Sequence, residues 1–279
     1  MDLIATLSCS DQPGIVHAVT SAILECGGNI IENQQFTDVP SGTFLMRTRF
    51  ETARGVNETK REFEKKLTAF KPSITIRERT RKKRGLILVS KESHCIRDLI
   101  YLHEIDELPI EIPLVISNHQ DLEPLIKNQG IEFKYIEVDP KNKDLAEAEL
   151  ENIIKNLEID FIVLARYMQI LSKEFSLRYA GKIINIHHSF LPSFKGAKPY
   201  HQAFERGVKI IGATAHFVTP VLDEGPIIDQ DVAYVGHGAN LDQMISLGRD
   251  VERRVLARAV RFYAEDRIFI VDNRTIVFH

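Results

Sequence analysis

The sequence predicts an α/β protein of two domains, a βαββαβ unit followed by a larger, mostly parallel sheet with helices on both faces. Over the first 80 residues, strand-like and helix-like segments follow one another in that order. A short basic segment comes next, and from residue 85 apolar strand-like runs alternate with helical ones. The length of 279 residues is ample for two domains of ordinary size.

The first domain opens with an apolar strand that ends in the turn Asp11-Gln12-Pro13-Gly14, whose proline and glycine break regular structure. Apolar residues then recur at helical spacing until Gly27-Gly28 stops the helix. The pattern predicts a strand at 3–9, a helix at 15–24, strands at 29–39 and 43–50, a helix at 57–70 and a strand at 73–77. This order is that of the ferredoxin-like fold.

Two segments of this domain, Asp11–Val16 and Gly27–Ile30, resemble the ACT domain, a module that binds small amino acids at a subunit interface. The resemblance implies that an effector carboxylate approaches backbone N–H groups where the glycine turn enters the helix. It also implies a homo-oligomer. The alternative is that Gly14 only shapes the turn and the domain only joins subunits. The effector-binding residues implied are Asp11, Gly14, Asn29 and Ile30.

A basic segment at residues 77–84, Arg-Glu-Arg-Thr-Arg-Lys-Lys-Arg, contains no apolar residue and is therefore predicted to connect the domains. The predicted boundaries are 1–80 for a regulatory domain, 81–84 for the linker and 85–279 for a catalytic domain. No aromatic residue is interleaved with the basic ones, and the net charge is −3, so we expect no nucleic-acid partner.

The second domain is predicted to be Rossmann-like, because strands that alternate with helices form a parallel sheet whose binding sites lie beyond the carboxyl ends of the strands. Strands are predicted near 85–90, 113–117, 133–138, 161–164, 183–186, 210–218 and 226–235. Helices are predicted at 122–128, 144–157 and 241–264, and a terminal hairpin at 267–278.

Three polar residues of this domain form a set suited to carbonyl chemistry. Asn185 and His187 stand at the end of one predicted strand, and Asp223 lies in the loop between two later ones. An amide can stabilise an oxyanion, an imidazole can move a proton, and a carboxylate can orient the imidazole. If the three meet at one rim of the sheet, the chain is an enzyme that acts on a small acyl group.

Four segments together, Ala165–Leu171, Asn185–Gly196, Ala215–Thr219 and Leu222–Pro226, resemble the formyltransferase family that uses 10-formyltetrahydrofolate. The resemblance implies that Asn185, His187 and Asp223 are catalytic. Within these segments, His188 stands where related transferases commonly have proline, and His216 is expected to support the Asp223 loop. Gln169 stands where the family usually has arginine. The folate-binding residues implied are Met168, Gln169, Ile170, Leu171, Val221 and Leu222.

The acceptor of the formyl group is indicated by the turn after the first strand of this domain. Glycinamide ribonucleotide transferases bind a phosphate there on a glycine-rich turn, whereas Val89–Cys95 contains no glycine and includes the acidic Glu92. Water then replaces the amine, and the combination with an ACT domain resembles the formyltetrahydrofolate deformylase family. The alternatives are phosphoribosylglycinamide formyl transfer with an unusual phosphate site, or a folate-binding, amino-acid-sensing oligomer without turnover.

The remaining expectations concern class, cofactors and location. No apolar stretch is long enough to span a bilayer, and the first residues lack the features of a signal peptide. Three widely spaced cysteines indicate neither disulfides nor a metal site, so we expect a reduced, cytoplasmic protein. The family resemblance implies 10-formyltetrahydrofolate as substrate, no tightly bound cofactor, methionine or glycine as effectors, and formate supplied to purine biosynthesis.

Overall fold

The computed structural model describes residues 1–191 and 199–279, and its contacts divide the chain into two compact units. The first unit contains residues 1–82, 265–272 and 276–279. The second contains residues 83–264 and 273–275.

The first unit is built on a four-stranded antiparallel sheet with the strand order β2-β3-β1-β4. One face of this sheet packs against two helices, and the core between them includes Leu7, Ile23, Phe50 and Phe63. The elements are β1 (Asp2–Ser10), α1 (Ile15–Glu25), β2 (Asn29–Asp38), β3 (Thr43–Glu51), α2 (Val56–Leu67) and β4 (Ser73–Glu78). A 3-10 turn at Thr68–Phe70 follows α2.

The second unit has a seven-stranded sheet in the order β11-β10-β9-β8-β5-β6-β7. The strands from β9 to β7 are parallel, β10 is antiparallel to β9, and β11 is antiparallel to β10. The predicted mostly parallel sheet is confirmed. The elements are β5 (Lys83–Val89), α3 (His94–Glu104), β6 (Ile110–Ser117), α4 (Glu123–Lys127), β7 (Phe133–Tyr135), α5 (Lys143–Asn156), β8 (Phe161–Ala165), α6 (Lys173–Arg178), β9 (Ile183–His187), α7 (Pro199–Glu205), β10 (Ile210–Phe217), β11 (Ile227–Tyr234) and α8 (Leu241–Ala264).

The central strands are apolar on both faces because helices cover both sides of the sheet. All five residues of β8 and the last five of β5 are buried. Helix α8 buries a stripe that includes Met244, Val251 and Val255, and the acidic Glu252 lies among these buried residues. Among the residues that the structure describes, no helix is both long and apolar enough to cross a membrane.

The terminal hairpin, β12 (Ile268–Val271) and β13 (Arg274–Val277), is assigned mostly to the first unit. The sequence placed it with the second domain because it follows α8 directly. Its apolar side chains Phe269, Val271 and Phe278 instead form a buried cluster with Leu45 of β3. A short hairpin has no core of its own, so the surface that it covers decides the unit to which it belongs.

The connection between β4 and β5 covers residues 79–82, two residues earlier than the predicted linker 81–84. Strand β4 ends at Glu78 and β5 begins at Lys83, so Lys83 and Arg84 belong to the sheet. The Lys83 ammonium lies 4.5 Å from the centre of the Tyr263 ring, and the Arg84 guanidinium is 2.7 Å from the Glu111 carboxylate. Long basic side chains can therefore belong to a strand when their charged ends find such partners.

Candidate active site

The predicted residues Asn185 and His187 lie on one face of β9. They are two positions apart in a strand, so their side chains project in the same direction. The antiparallel neighbour β10 places His216 opposite Asn185 and Thr214 opposite His187. Directly paired residues share a face of the sheet, so this pairing makes a patch of four polar side chains near the end of β9.

The loop 218–226 carries Asp223 to this patch by a route that differs from the expected one. Because β10 runs antiparallel to β9, the loop leaves from the amino end of β9, where the Val218 N–H donates to the Ile183 carbonyl at 2.9 Å. It then folds back toward His187. An added Cβ at Gly225 would lie 1.7 Å from the Phe217 carbonyl oxygen, so a residue without a side chain is needed for this close return.

Asp223 lies between two histidines. Its Oδ2 is 3.3 Å from His187 Nδ1, and its Oδ1 is 3.6 Å from His216 Nε2. The hydrogen bond from His187 and, after it, the contact with His216 hold the pKa of Asp223 well below its ordinary value, although partial burial opposes them. The carboxylate is therefore ionised at neutral pH, and it is oriented to stabilise a histidine that takes up a proton.

The tautomer of His187 follows from its two neighbours. A carboxylate only accepts hydrogen bonds, so Nδ1 of His187 carries the proton that faces Asp223. Its Nε2 lies 2.8 Å from the Ser189 hydroxyl, which can donate to it. In this form Nε2 holds the basic lone pair, as a general base requires.

The amide of Asn185 is held by His216. Its Nδ2 lies 3.2 Å from Nε2 of His216, whose Nδ1 lies 2.9 Å from the Phe217 carbonyl and donates to it. An amide has two N–H donors, so one remains for a substrate oxygen. His216 was predicted to support the Asp223 loop, and the structure places it in contact with Asp223 and Asn185 together.

His188 lies beside the three predicted catalytic residues. Its ring stacks on His187 with centroids 4.9 Å apart and planes 24° apart, and it lies 6.3 Å from the Tyr200 ring. Burial, together with the charge of Arg166, lowers the pKa of His188 to about 4. His188 is therefore a neutral imidazole near pH 7, so it does not repel a proton on His187.

A second carboxylate is buried in the same unit. Glu252 of α8, 1% exposed, accepts from the Tyr200 hydroxyl at 2.7 Å and lies 2.8 Å from His94 Nε2 and 3.4 Å from Arg166 Nε. Burial raises the pKa of Glu252, but these partners outweigh it and lower the pKa. An added Cβ at Gly248, one turn earlier, would lie 2.1 Å from the Tyr200 hydroxyl, so glycine makes room for this contact.

His94, Cys95 and Glu252 have potential metal-ligand atoms within 4.8 Å of one another. Both oxygens of Glu252 are already hydrogen-bonded, and the positive charge of the nearby Arg166 guanidinium would repel a metal cation. Burial also raises the pKa of the Cys95 thiol well above its ordinary value, which disfavours the thiolate that a metal requires. These contacts fit a hydrogen-bonded carboxylate better than a metal centre.

Comparison with known proteins identifies the family of this chain. The model of the formyl transferase family matches residues 83–260. The formyltetrahydrofolate deformylase of Bacillus subtilis is 45% identical over 281 residues, which cover 98% of this chain and 92% of that relative. The chain belongs to the formyltetrahydrofolate deformylase family. The resemblance of the second domain to the formyltransferase family, and of the chain to the deformylases, is thereby confirmed.

Solved structures distinguish the family from its transferase relatives by extent. The formyltetrahydrofolate deformylase from Pseudomonas syringae is similar with a TM-score of 0.96 and 43% identity, and the match covers 100% of this chain and 94% of that chain. The phosphoribosylglycinamide formyltransferase from Anaplasma phagocytophilum has a TM-score of 0.65 and 29% identity. That match covers only 71% of this chain and 96% of that one.

Four of the six residues predicted to bind the folate are apolar and exposed. They follow β8 or precede Asp223, and Met168 is held by its N–H, which donates to the Ser90 hydroxyl at 2.9 Å. Gln169 and Leu171 are partly buried. Large apolar side chains exposed together are typical of a ligand surface. The exposed members are Met168, Ile170, Val221 and Leu222, each between 55% and 64% exposed.

The predicted effector residues belong to the first unit. Asn29 and Ile30, at the start of β2, line a surface pocket of about 440 Å³ together with His17, Thr20 and Leu24. Gly14 is the residue before α1, with φ 98°, and the Asp11 N–H donates to the Gly42 carbonyl at 2.8 Å. Neither Asp11 nor Gly14 lines that pocket.

The residues around Glu252 were not found from the sequence. One signal was present: a charged residue stands inside the apolar stripe of α8, directly after Val251. A second was the helical spacing of Cys95, Ile96 and Leu99, which marks α3. Residues 192–198, which complete the motif that begins at Asn185, lie outside the described residues.

Proposed function

We propose that this protein hydrolyses 10-formyltetrahydrofolate to formate and tetrahydrofolate. The observation that carries the proposal is the contact of 3.3 Å between His187 Nδ1 and Asp223 Oδ2, on the same sheet face as Asn185. Family membership over the whole chain supports it. The chemistry requires no redox or electrophilic group beyond these side chains, so we propose that no tightly bound cofactor takes part.

In the proposed mechanism, Asn185 donates its free N–H to the formyl oxygen. His187 Nε2 takes one proton from water as the water oxygen attacks the formyl carbon, and ionised Asp223 stabilises the imidazolium. The tetrahedral intermediate then collapses. The bond between carbon and N10 breaks, N10 receives the proton from His187, and the formic acid loses its remaining proton to solvent.

The exposed apolar set Met168, Ile170, Val221 and Leu222 supports binding of the pterin ring beside these residues. A flat heteroaromatic ring gains free energy by covering such side chains, and its polar edge needs backbone partners. We propose that backbone groups of residues 168–171 and 221–223 are these partners. Met168→Ala is therefore expected to raise KM several-fold and change kcat little.

Water is the proposed acceptor because the turn after β5 does not suit a phosphate. Glu92 in this turn is acidic and pairs with Arg249 at 3.1 Å, and the next helix turn carries His94, bound to Glu252. A carboxylate repels a phosphate, and its arginine partner is already neutralised. Phosphoribosylglycinamide formyl transfer is the alternative, and a folate-binding oligomer without turnover is the second.

One experiment separates the three functions. The purified protein is incubated with 10-formyltetrahydrofolate in buffer, with and without glycinamide ribonucleotide, and formate is measured. Hydrolysis predicts formate release that the amine does not change. Formylated amine without formate would establish transfer, and the absence of both products would leave a binding protein.

We further propose that the first unit is an ACT regulatory domain that responds to methionine or glycine. The βαββαβ order and the pocket at Asn29 and Ile30 support this proposal. Isothermal titration of both amino acids into the protein, with kinetics in their presence, tests it. Heat or a change in rate that Asn29→Ala removes is expected; no response to either amino acid contradicts it.

A homo-oligomer is also proposed. Strand β2 is at the edge of its sheet and exposes Ile31 and Phe36, a combination that favours pairing with another chain. Light scattering after size-exclusion chromatography is expected to show more than one chain per particle, and Phe36→Lys is expected to lower the measured mass.

Two further expectations stay predictions. One is a cytoplasmic location, which the three free buried cysteines favour. The other is that the formate is supplied to purine biosynthesis.

A further inference from the structure

We propose that His188 holds the attacking water beside the formyl carbon, a role that rests on the hydrolysis proposed above. A water molecule that gives one proton to His187 needs a second acceptor to be oriented. Within the described part of the site, His188 is the group best placed to be that acceptor.

The first support is geometric. The stacking distance of 4.9 Å at an interplanar angle of 24° places the two histidine rings nearly face to face. Ring nitrogens lie at the edge of an imidazole, so stacking leaves them free while it keeps the two edges close together. A water between these edges can contact both rings.

The second support is the hydrogen-bonding state of His188. In the described residues, no protein group bonds to either of its ring nitrogens, and neither nitrogen is among the fully enclosed unpartnered atoms. The described protein groups therefore leave both nitrogens available to a water or a ligand. A half-buried imidazole in this state binds water or a ligand, because leaving a polar group without a hydrogen bond is unfavourable.

The third support is charge. With its pKa lowered to about 4, His188 is neutral at pH 7 and one ring nitrogen accepts a hydrogen bond. A protonated ring would only donate, and it would bind a lone pair of the water that is needed to attack the formyl carbon. The neighbouring positive charge of Arg166, held by Glu252 at 3.4 Å, is a cause of this neutrality.

The fourth support is the rigidity of the surroundings. Tyr200 packs at 6.3 Å from the His188 ring and is itself fixed by its bond of 2.7 Å to Glu252. The imidazole thus has ring contacts with both His187 and a hydrogen-bonded tyrosine. A ring held in this way can position a water at little entropic cost.

The test uses His188→Phe, which retains the stacking surface and removes both nitrogens, and His188→Asn, which retains a polar acceptor. For His188→Phe, kcat for formate release is expected to fall about tenfold, the effect of one hydrogen bond in the transition state. KM and the melting temperature are expected to stay unchanged. His188→Asn is expected to recover part of the lost rate.

A competing nucleophile distinguishes water positioning from a structural role. Hydroxylamine attacks a formyl group without first losing a proton, so it depends less on a second acceptor than water does. The ratio of formohydroxamate to formate is expected to rise in His188→Phe. Equal loss of both products, or formate release within twofold of the unchanged protein, would overturn the role of His188. Absence of formate release from the unchanged protein would contradict the proposed hydrolysis instead.

Discussion

Two carboxylates of the second unit, Asp223 and Glu252, have histidine partners, yet they are used differently. The Asp223 side chain is 26% exposed and lies between His187 and His216, whereas Glu252 is 1% exposed and binds His94, Tyr200 and Arg166.

The difference between the two carboxylates is one of access. A substrate can reach the exposed carboxylate and its histidines, so these groups can exchange protons during a reaction. Both oxygens of the buried carboxylate are bonded to protein groups. These bonds connect α8 to α3 and α7 and so contribute to stability rather than to the reaction. Variants of the first group should therefore change rate, and variants of the second should change stability.

The largest effect is expected at Asn185. Asn185→Ala removes the proposed oxyanion donor and is expected to lower kcat by about 10²–10³. The melting temperature should change little, since the residue is partly exposed at the site. Steady-state kinetics and calorimetry of this variant, with the exposed Asn128→Ala as control, measure both. Near-normal turnover would contradict the proposed role.

A smaller effect, on stability, is expected at Glu252. Glu252→Gln keeps the shape and removes the charge that His94 and Arg166 face, so the free energy of unfolding should fall by about 2 kcal/mol. The rate should fall less than tenfold. Denaturant unfolding of this variant is compared with Asp250→Asn, whose side chain is 48% exposed on the same helix. A rate loss of more than tenfold with unchanged free energy of unfolding would contradict the contrast between the two carboxylates.

The loop that carries Asp223 is expected to respond to Gly225→Ala. The new Cβ would lie 1.7 Å from the Phe217 carbonyl oxygen, so the loop must shift and Asp223 with it. A loss of about tenfold in kcat/KM is expected, the cost of moving one hydrogen-bonded group. Gly236→Ala, where an added Cβ meets nothing within 4 Å, is the matched control. Equal activity of the two variants would show that the loop adapts.

The smallest effect is a pH dependence of stability at Asp223. Its lowered pKa means that the folded state favours the ionised carboxylate, so this stabilisation is present above the unfolded pKa of about 3.9. It is lost as pH falls toward the folded pKa. Asp223→Asn should therefore lower the free energy of unfolding by about 1 kcal/mol at pH 7. The difference between the two proteins should shrink below about pH 4. Unfolding curves from pH 7 to pH 3 measure it; a constant difference is the contrary outcome.

Much of this architecture is predictable because local pattern and burial agree along the chain. Helix α8 was predicted at its observed bounds, since its apolar residues recur at helical spacing along its length. The strands β5 and β8 were found because unbroken apolar runs fit a sheet covered on both faces. The terminal hairpin was placed in the wrong surroundings, because no local pattern states which surface an apolar strand will cover.

The amino-acid sequence is enough to predict the residue types of the candidate site, the alternation of strands and helices, and the family. It does not show that β10 runs antiparallel to β9, that the 218–226 loop returns over that pair, or that Glu252 is enclosed by three polar partners. The two sets of features differ in the distance along the chain over which they are set. Helical spacing and strand runs are set by neighbours along the chain, whereas the contact of Asp223 with His187 depends on strand pairing and close packing between distant segments.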